Sequence, residues 1–282
     1  MITLKSADKS PWNDEEGFSQ DDKLPIRKSG PQAREKHKHL TYYGKMFATA
    51  MKNKFKNRVY IELFAGPGRC RFQDHTEGSG SPLQMMDFEF TKFIFIEKNL
   101  AGAEALQSRV NDHRAADQAT IYCGDCADAV KEIMLPQSKC LALTFVDPTG
   151  ISHCPFDLIR TLRGRVRTDL LINFPHGMGL KMNQHQYTSH DKSILTRFVG
   201  TNAWTKFIDK NPADFVRGVL DLYKVQLRKL EYLLGTHEVV VRTQQGTPLY
   251  MLVFASRDPL GVQFWDKTMK GVQDPQFPFM LK

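Results

Sequence analysis

No run of about 18 uninterrupted apolar residues occurs in the 282-residue chain, which excludes an apolar membrane-crossing helix. Residues 1–23 also lack the apolar core of a secretion signal, so a cytoplasmic protein with no membrane partner is expected. Cysteine is scarce. Five cysteines at 70, 123, 126, 140 and 154 are an odd number spread along the chain, which is no disulfide framework, and reduced thiols are expected. Cys123 and Cys126 form a C-x-x-C, and His153 with Cys154 offers further ligand types. No second clean pair follows, and no metal site is assigned. Internal repeats and low-complexity tracts are missing as well.

What is present is apolar material for one large core, 41% hydrophobic and 11% aromatic, and an excess of positive charge. The formal net charge of +8 favours an anionic partner, because a basic surface concentrates phosphates around itself. Residues 1–31 are polar and read as a tail or a strap laid on the surface, with Trp12 and Phe18 as its anchors. From Gln32 to Lys54, Leu40, Tyr43, Met46, Phe47, Ala50 and Met51 recur at three- and four-residue spacing, which predicts a helix. Its basic run Lys36 to Lys38 reads as a solvated face.

Apolar runs then alternate with helix-compatible segments. Arg58-Val-Tyr-Ile-Glu-Leu-Phe, Phe93-Ile-Phe-Ile-Glu, Thr120-Ile-Tyr-Cys, Leu141-Ala-Leu-Thr-Phe-Val and Asp169-Leu-Leu-Ile-Asn-Phe read as buried strands of a parallel sheet covered on both faces. Residues 177–235 break this rhythm with a long helical pattern and no convincing strand, and read as an insertion. Glu238-Val-Val-Val-Arg and Leu249-Tyr-Met-Leu-Val-Phe-Ala then read as an antiparallel hairpin. The expected organisation is a tail over 1–31, an α/β domain over 32–176 and 236–282, and a helical insertion over 177–235.

The first strand runs into Glu62-Leu-Phe64-Ala65-Gly66-Pro-Gly68. Glycines here let a backbone take positive φ and come close to a ligand, although the same letters also describe a plain strand-to-helix turn. The second strand ends in Glu97, placed for the two hydroxyls of a ribose, and the third in Asp125, suited to an adenine amino group. Successive strand-end acids are hard to explain as solvated surface. The loop lacks the third glycine of G-x-G-x-x-G, which tilts the choice of cofactor from NAD to S-adenosyl-L-methionine, a ligand that needs no pyrophosphate cradle.

This order of motifs, with Asp147-Pro-Thr-Gly150 after the fourth strand, resembles the class I methyltransferases. That resemblance implies a Rossmann-like sheet, mostly parallel, ending in one reversed strand. More narrowly, His37-Lys-His-Leu-Thr-Tyr-Tyr, the Phe64-Ala-Gly-Pro-Gly loop, Gly78-Ser-Gly-Ser-Pro82, Asp147-Pro148 and Ile172-Asn-Phe-Pro175 resemble the three-Cys-motif partner family of bacterial proteins, over roughly residues 32–260. The resemblance implies S-adenosylmethionine as cofactor and a cysteine-motif partner protein. The sequence departs from the Asp/Asn-Pro-Pro-aromatic pattern of enzymes that methylate base amines, since Thr149-Gly150 replaces the second proline and the aromatic residue.

Asp147 and Pro148 stand where a methyl acceptor would approach, and the Asp147 carboxylate is suited to orient or deprotonate it. Asn173, Phe174, Pro175 and His176 end the next strand and offer hydrogen bonding and stacking. Arg160, Arg163, Arg165 and Arg167 form a dense basic segment, and with Lys206, Lys210, Lys224, Arg228 and Lys229 they place nucleic acid just above protein as the acceptor. The competing readings are a non-catalytic binding module that keeps the fold, an NAD(P)-dependent oxidoreductase, and a solvated basic face.

Overall fold

β-Branched and aromatic residues dominate the runs that form strands, and they are buried on both faces, as the centre of a parallel sheet requires. The architecture comes from a computed structural model, which describes residues 17–30, 32–135, 139–176, 180–181, 183–189, 192–243 and 245–272. The Trp12 anchor and the tail ahead of residue 17 lie outside these residues. The fold is α/β and Rossmann-like, with a large, mostly parallel sheet. The described residues form two compact units, one of those up to 145 together with 271–272, the other of those from 146 to 270.

The first unit contains, in chain order, β1 (Arg27–Ser29), α1 (Gln32–Ala50), β2 (Asn57–Glu62), β3 (Arg69–Phe72), β4 (Glu77–Ser79), α2 (Ser81–Met86), β5 (Lys92–Glu97), α3 (Leu100–Asn111), β6 (Ala119–Cys123), α4 (Cys126–Glu132) and β7 (Cys140–Val146). Its larger sheet runs β7-β2-β5-β6, every pair parallel. Tyr60, Phe93, Phe95 and Phe145 are fully buried in it, and each contributes on the order of 1.5–3 kcal/mol by leaving water. Asn99 caps α3 by accepting from the Gly102 amide at 3.0 Å, which sets where the helix starts after β5.

Three details differ from the sequence expectation. The helix α1 ends at Ala50, and Met46 and Ala50 are exposed, whereas Lys36 and His37 from the presumed solvated face are buried; the His37 ring meets Gln84 of α2 at 3.3 Å. Docking against α2 rotates the buried stripe towards the positions that touch it. The described part of the amino-terminal segment is built into the unit, because β1 pairs in parallel with β3, and its anchor is the fully buried Ile26 while Phe18 is exposed. The glycine loop leads into β3 and not into a helix, since residues 69–72 find strand partners in β1 on one side and β4 on the other.

The second unit contains α5 (Phe156–Arg165), β8 (Thr168–Pro175), α6 (Gln184–Ser189), α7 (Lys192–Val199), α8 (Pro212–Lys229), β9 (Leu233–Leu234), β10 (Val239–Arg242), β11 (Pro248–Ser256) and α9 (Pro259–Val272). β11 lies between β8 and β10, antiparallel to both, so the terminal hairpin is present, and the short β9 adds to its far end inside the segment expected to hold no strand. Asn211 caps α8 through the amides of Ala213 and Asp214, both at 3.1 Å, with Pro212 in the first turn where its missing N–H costs nothing. Phe156, Phe174, Phe198 and Tyr223 close the core of this unit, with centroids 5.2–5.6 Å apart.

Candidate active site

The glycine loop is held open by its backbone. Gly66 and Gly68 have φ of 66° and 84°, a region where a side chain is strained, and a Cβ on Gly68 would also stand 2.9 Å from Leu106. The loop is tied at several points: the Ala65 amide donates to Ile96 O at 2.9 Å, the Leu63 amide to Phe145 O at 3.1 Å, and the Gly80 amide to Gly68 O at 2.7 Å. Ala65 is buried and Phe64 half-buried. The last contact brings in the Gly-Ser-Gly-Ser-Pro element, which ends β4 and opens α2.

Glu62, at the end of β2, is 1% exposed. A buried carboxyl needs donors, and it has them: the Tyr60 hydroxyl donates to Oε2 at 2.8 Å and the Ser81 hydroxyl to Oε1 at 2.5 Å. Glu97, at the end of β5, accepts from the Gly66 amide at 2.7 Å and from the Asn99 amide at 2.8 Å, one on each oxygen. Asp125 caps α4 through the Ala127 amide at 2.9 Å and faces Lys98 Nζ at 3.7 Å. Gly66 and Glu97 are thus joined directly, while Glu62 is tied to Ser81 at the start of α2, next to the Gly80 amide that holds the loop at Gly68. Asp125 stands after the next strand, half exposed, in the role of a helix cap.

Sequence reasoning missed Tyr60 and Ser81, the donors to Glu62, and it missed Arg109. That guanidinium is nearly buried and donates to Pro25 O at 2.7 Å, to Pro67 O at 2.5 Å and to Asp22 at 2.8 Å. Its spacing in α3 gives no hint of this, because its partners are 42 to 87 positions away.

In the second unit, Asp147 and Asn173 meet. Asp147 is 5% and Asn173 3% exposed, and Asn173 Nδ2 donates to Asp147 Oδ1 at 2.6 Å. The amide's other atom, Oδ1, is buried with no hydrogen-bond partner among the described residues. Such an acceptor costs about 1–3 kcal/mol when left unpaired. Pro148 follows Asp147 on the way to a turn in which Thr149 Oγ1 and His153 Nδ1 lie 3.0 Å apart. Phe174 offers no stacking surface, contrary to expectation, because it is fully buried against Phe198 and Tyr223. His176 is half-buried, and burial together with Lys181 and Arg242 pushes its pKa down, so its imidazole is neutral at pH 7.

The arginines of the basic segment are largely engaged. Arg160 pairs with Asp157 at 2.5 Å and lies over the Phe156 ring, Arg163 pairs with Glu231 and donates to Leu230 O, and Arg167 is 3.8 Å from Asp258. Arg165 is exposed. Further along, Lys224 pairs with Glu238 at 2.5 Å. Cys123, Cys126, Cys140, Cys154 and Cys70 are free thiols and buried, and among the described residues no group of His, Cys, Asp or Glu is placed to hold a metal.

No family model matches the chain, and no curated protein matches it. Among solved structures it is similar to protein LPL1258 from Legionella pneumophila, at 11% identity and a TM-score of 0.50, over 85% of this chain and 91% of that one. It is also similar to the O-methyltransferase TomG from Streptomyces achromogenes in complex with SAM, at 11% identity and a TM-score of 0.41, over 76% and 79%. A third is the O-methyltransferase from Bacillus cereus in complex with SAH, at 10% identity and a TM-score of 0.42, over 76% and 80%. At these identities the likeness is one of fold.

Proposed function

We propose that the chain is an S-adenosylmethionine-dependent methyltransferase. The observation that carries this reading is the acidic patch around a glycine loop that opens into a strand. A dinucleotide site puts its pyrophosphate on the amino terminus of the helix that follows the glycine turn. Here β3 follows, so that anchor for a pyrophosphate is missing, while Glu62, Glu97 and Asp125 remain at the ends of successive strands.

The residues fit the cofactor. Each Glu97 oxygen accepts one backbone N–H and keeps a lone pair, so the carboxylate can take two ribose hydroxyls without giving up the loop. Gly66 takes the positive φ that lets the loop backbone come close to a ligand, and Asp125, half exposed, would offer an amino group its Oδ2, which lies outside the capping bond and faces Lys98 Nζ at 3.7 Å. Glu62 acts through the loop, its carboxyl held by Tyr60 and Ser81. When bound, S-adenosylmethionine supplies a methyl group activated by its sulfonium.

Asp147 is the acceptor residue in this reading. It follows directly on β7 (Cys140–Val146). The Asn173 amide holds the Asp147 carboxylate in one orientation and leaves its own Oδ1 to receive a hydrogen bond, which suits an acceptor that carries N–H or O–H. Pro148 stiffens the turn behind the acid. Nucleic acid is the proposed acceptor, supported by the net charge of +8 and the exposed Arg165, in a cytoplasmic setting. The motif resemblance adds a cysteine-motif protein as the partner that would present it.

The test is transfer of label from S-adenosylmethionine into a cell extract treated in parallel with nuclease or protease. Loss of labelled material with nuclease, and a fall of about two to four orders of magnitude for Asp147→Ala with unchanged cofactor affinity, are the expected results. Glu97→Ala should instead weaken cofactor binding by about 1–3 kcal/mol. Protease-sensitive label moves the acceptor to protein. Cofactor binding with no label in any extract makes the chain a binding module.

A further inference from the structure

The amino-terminal strap reaches the cofactor loop through one side chain. The strap over residues 17–29 is fastened beside Gly66-Pro67-Gly68: Arg109 Nη1 donates to Pro25 O on the strap and to Pro67 O in the loop, joining the two backbones through one nitrogen. Ser19 adds a hydrogen bond to Glu77 at 2.7 Å, and β1 lies in register with β3, Arg27 opposite Cys70. The next side chain after the buried Ile26 is Arg27. Its Cδ and Nη1 lie 3.8 and 3.9 Å from the point a Cβ on Gly66 would occupy. The guanidinium therefore stands over the glycine whose amide donates to Glu97.

The charge of the loop gives this placement a purpose. The amino-acid end of S-adenosylmethionine carries an ammonium and a carboxylate. The Glu97 carboxylate bonded to the Gly66 amide suits the ammonium and repels the carboxylate. Discriminating for the carboxylate needs a cation at the loop, and a planar guanidinium with fork geometry binds a carboxylate by two parallel hydrogen bonds. Arg27 is half-buried, so such a bond is only partly screened by solvent.

We propose that Arg27 binds the carboxylate of the cofactor's amino-acid end, which makes the strap a working part of the cofactor site. This rests on the methyltransferase reading, and the experiment separates the two. Calorimetric titrations of the full chain compare S-adenosylmethionine with its decarboxylated form, which keeps the adenosine, the sulfonium and the ammonium and lacks only the carboxylate. The wild-type chain should prefer the carboxylated ligand by roughly ten- to a hundredfold, the scale of a lost charge-assisted interaction. Arg27→Ala should bring that preference down at least tenfold while leaving the decarboxylated ligand within about twofold of wild type, and Arg27→Lys should keep part of the preference. Thermal melts of the variants report whether the strap stays folded. An Arg27→Ala chain that melts like wild type and keeps the full preference overturns the proposal and leaves the cofactor reading intact. Equal weakening of both ligands assigns Arg27 to holding the strap and overturns it as well, whereas wild-type protein that binds neither compound overturns the cofactor reading and this inference with it.

Discussion

Arg109 and Asp22 lie 87 positions apart and share two hydrogen bonds of 2.8 Å, Nε to Oδ2 and Nη2 to Oδ1. The fork is two-pronged, and the arginine's remaining nitrogen reaches the carbonyls of Pro25 and Pro67. One side chain therefore fixes a carboxylate, the strap and the glycine loop together.

Loss of that side chain should be costly. Arg109→Ala leaves buried carbonyls without a donor, and about 3–5 kcal/mol of unfolding free energy should disappear in a urea titration. Limited proteolysis should then cut near residues 17–30 faster than in the wild type. Acid should act in the same direction, because the Arg109 guanidinium holds the Asp22 carboxyl down at about 2, and the stability this gives is present above pH 4 and is lost as pH falls towards 2.

Asp169, at the start of β8, behaves in the opposite way. Burial pushes its pKa up to about 7, with the Ser256 hydroxyl only partly compensating. Between pH 4 and 7 the folded chain binds more protons at this site than the unfolded chain, so stability falls as pH rises through that window. The Asp169→Asn variant should flatten the profile and gain up to roughly 4 kcal/mol over wild type above pH 7, read as melting temperature against pH. Identical profiles for both chains would remove Asp169 as the cause.

The basic segment divides by partner. Arg163 is tied to Glu231 and Leu230 O, so Arg163→Ala should lower the melting temperature. Arg165 is exposed, and Arg165→Ala should leave the melt unchanged while reducing the slope of log affinity for RNA or DNA against log salt by about one. Absence of any salt-dependent binding by the wild-type chain would move the acceptor away from nucleic acid.

The sheet, apart from the two-residue β9, was legible in the sequence because each of its longer strands is a local signal. The run from Leu141 to Val146 is apolar at every position apart from Thr144, and the hairpin declares itself by two such runs around Gly246. The positions of Glu62 and Glu97 were legible for the same reason, being strand ends, and that of Gly66 as part of a glycine turn after a strand. The strand at Arg69–Phe72 was hidden because its partner in the strap is some forty residues earlier and its own letters, Arg-Cys-Arg-Phe, carry two charges. Arg27, Ser81 and Arg109 share that fate, since each lies against a residue distant in the chain and no spacing in the sequence records it, whereas Tyr60 meets Glu62 only two residues on in the same strand. Phe174 erred the other way: a strand-end aromatic reads the same whether it faces a ligand or, as here, a core closed by Phe198 and Tyr223.

The fastening of the strap also sets an order of assembly on the ribosome. Arg109, which locks residues 17–29, is made 87 residues after Asp22. At about 5–20 residues per second, the strap waits roughly 4 to 17 s with Ile26 bare to solvent. Until then Ile26 has no core to enter, and the strap gains its fastening only once α3 is made.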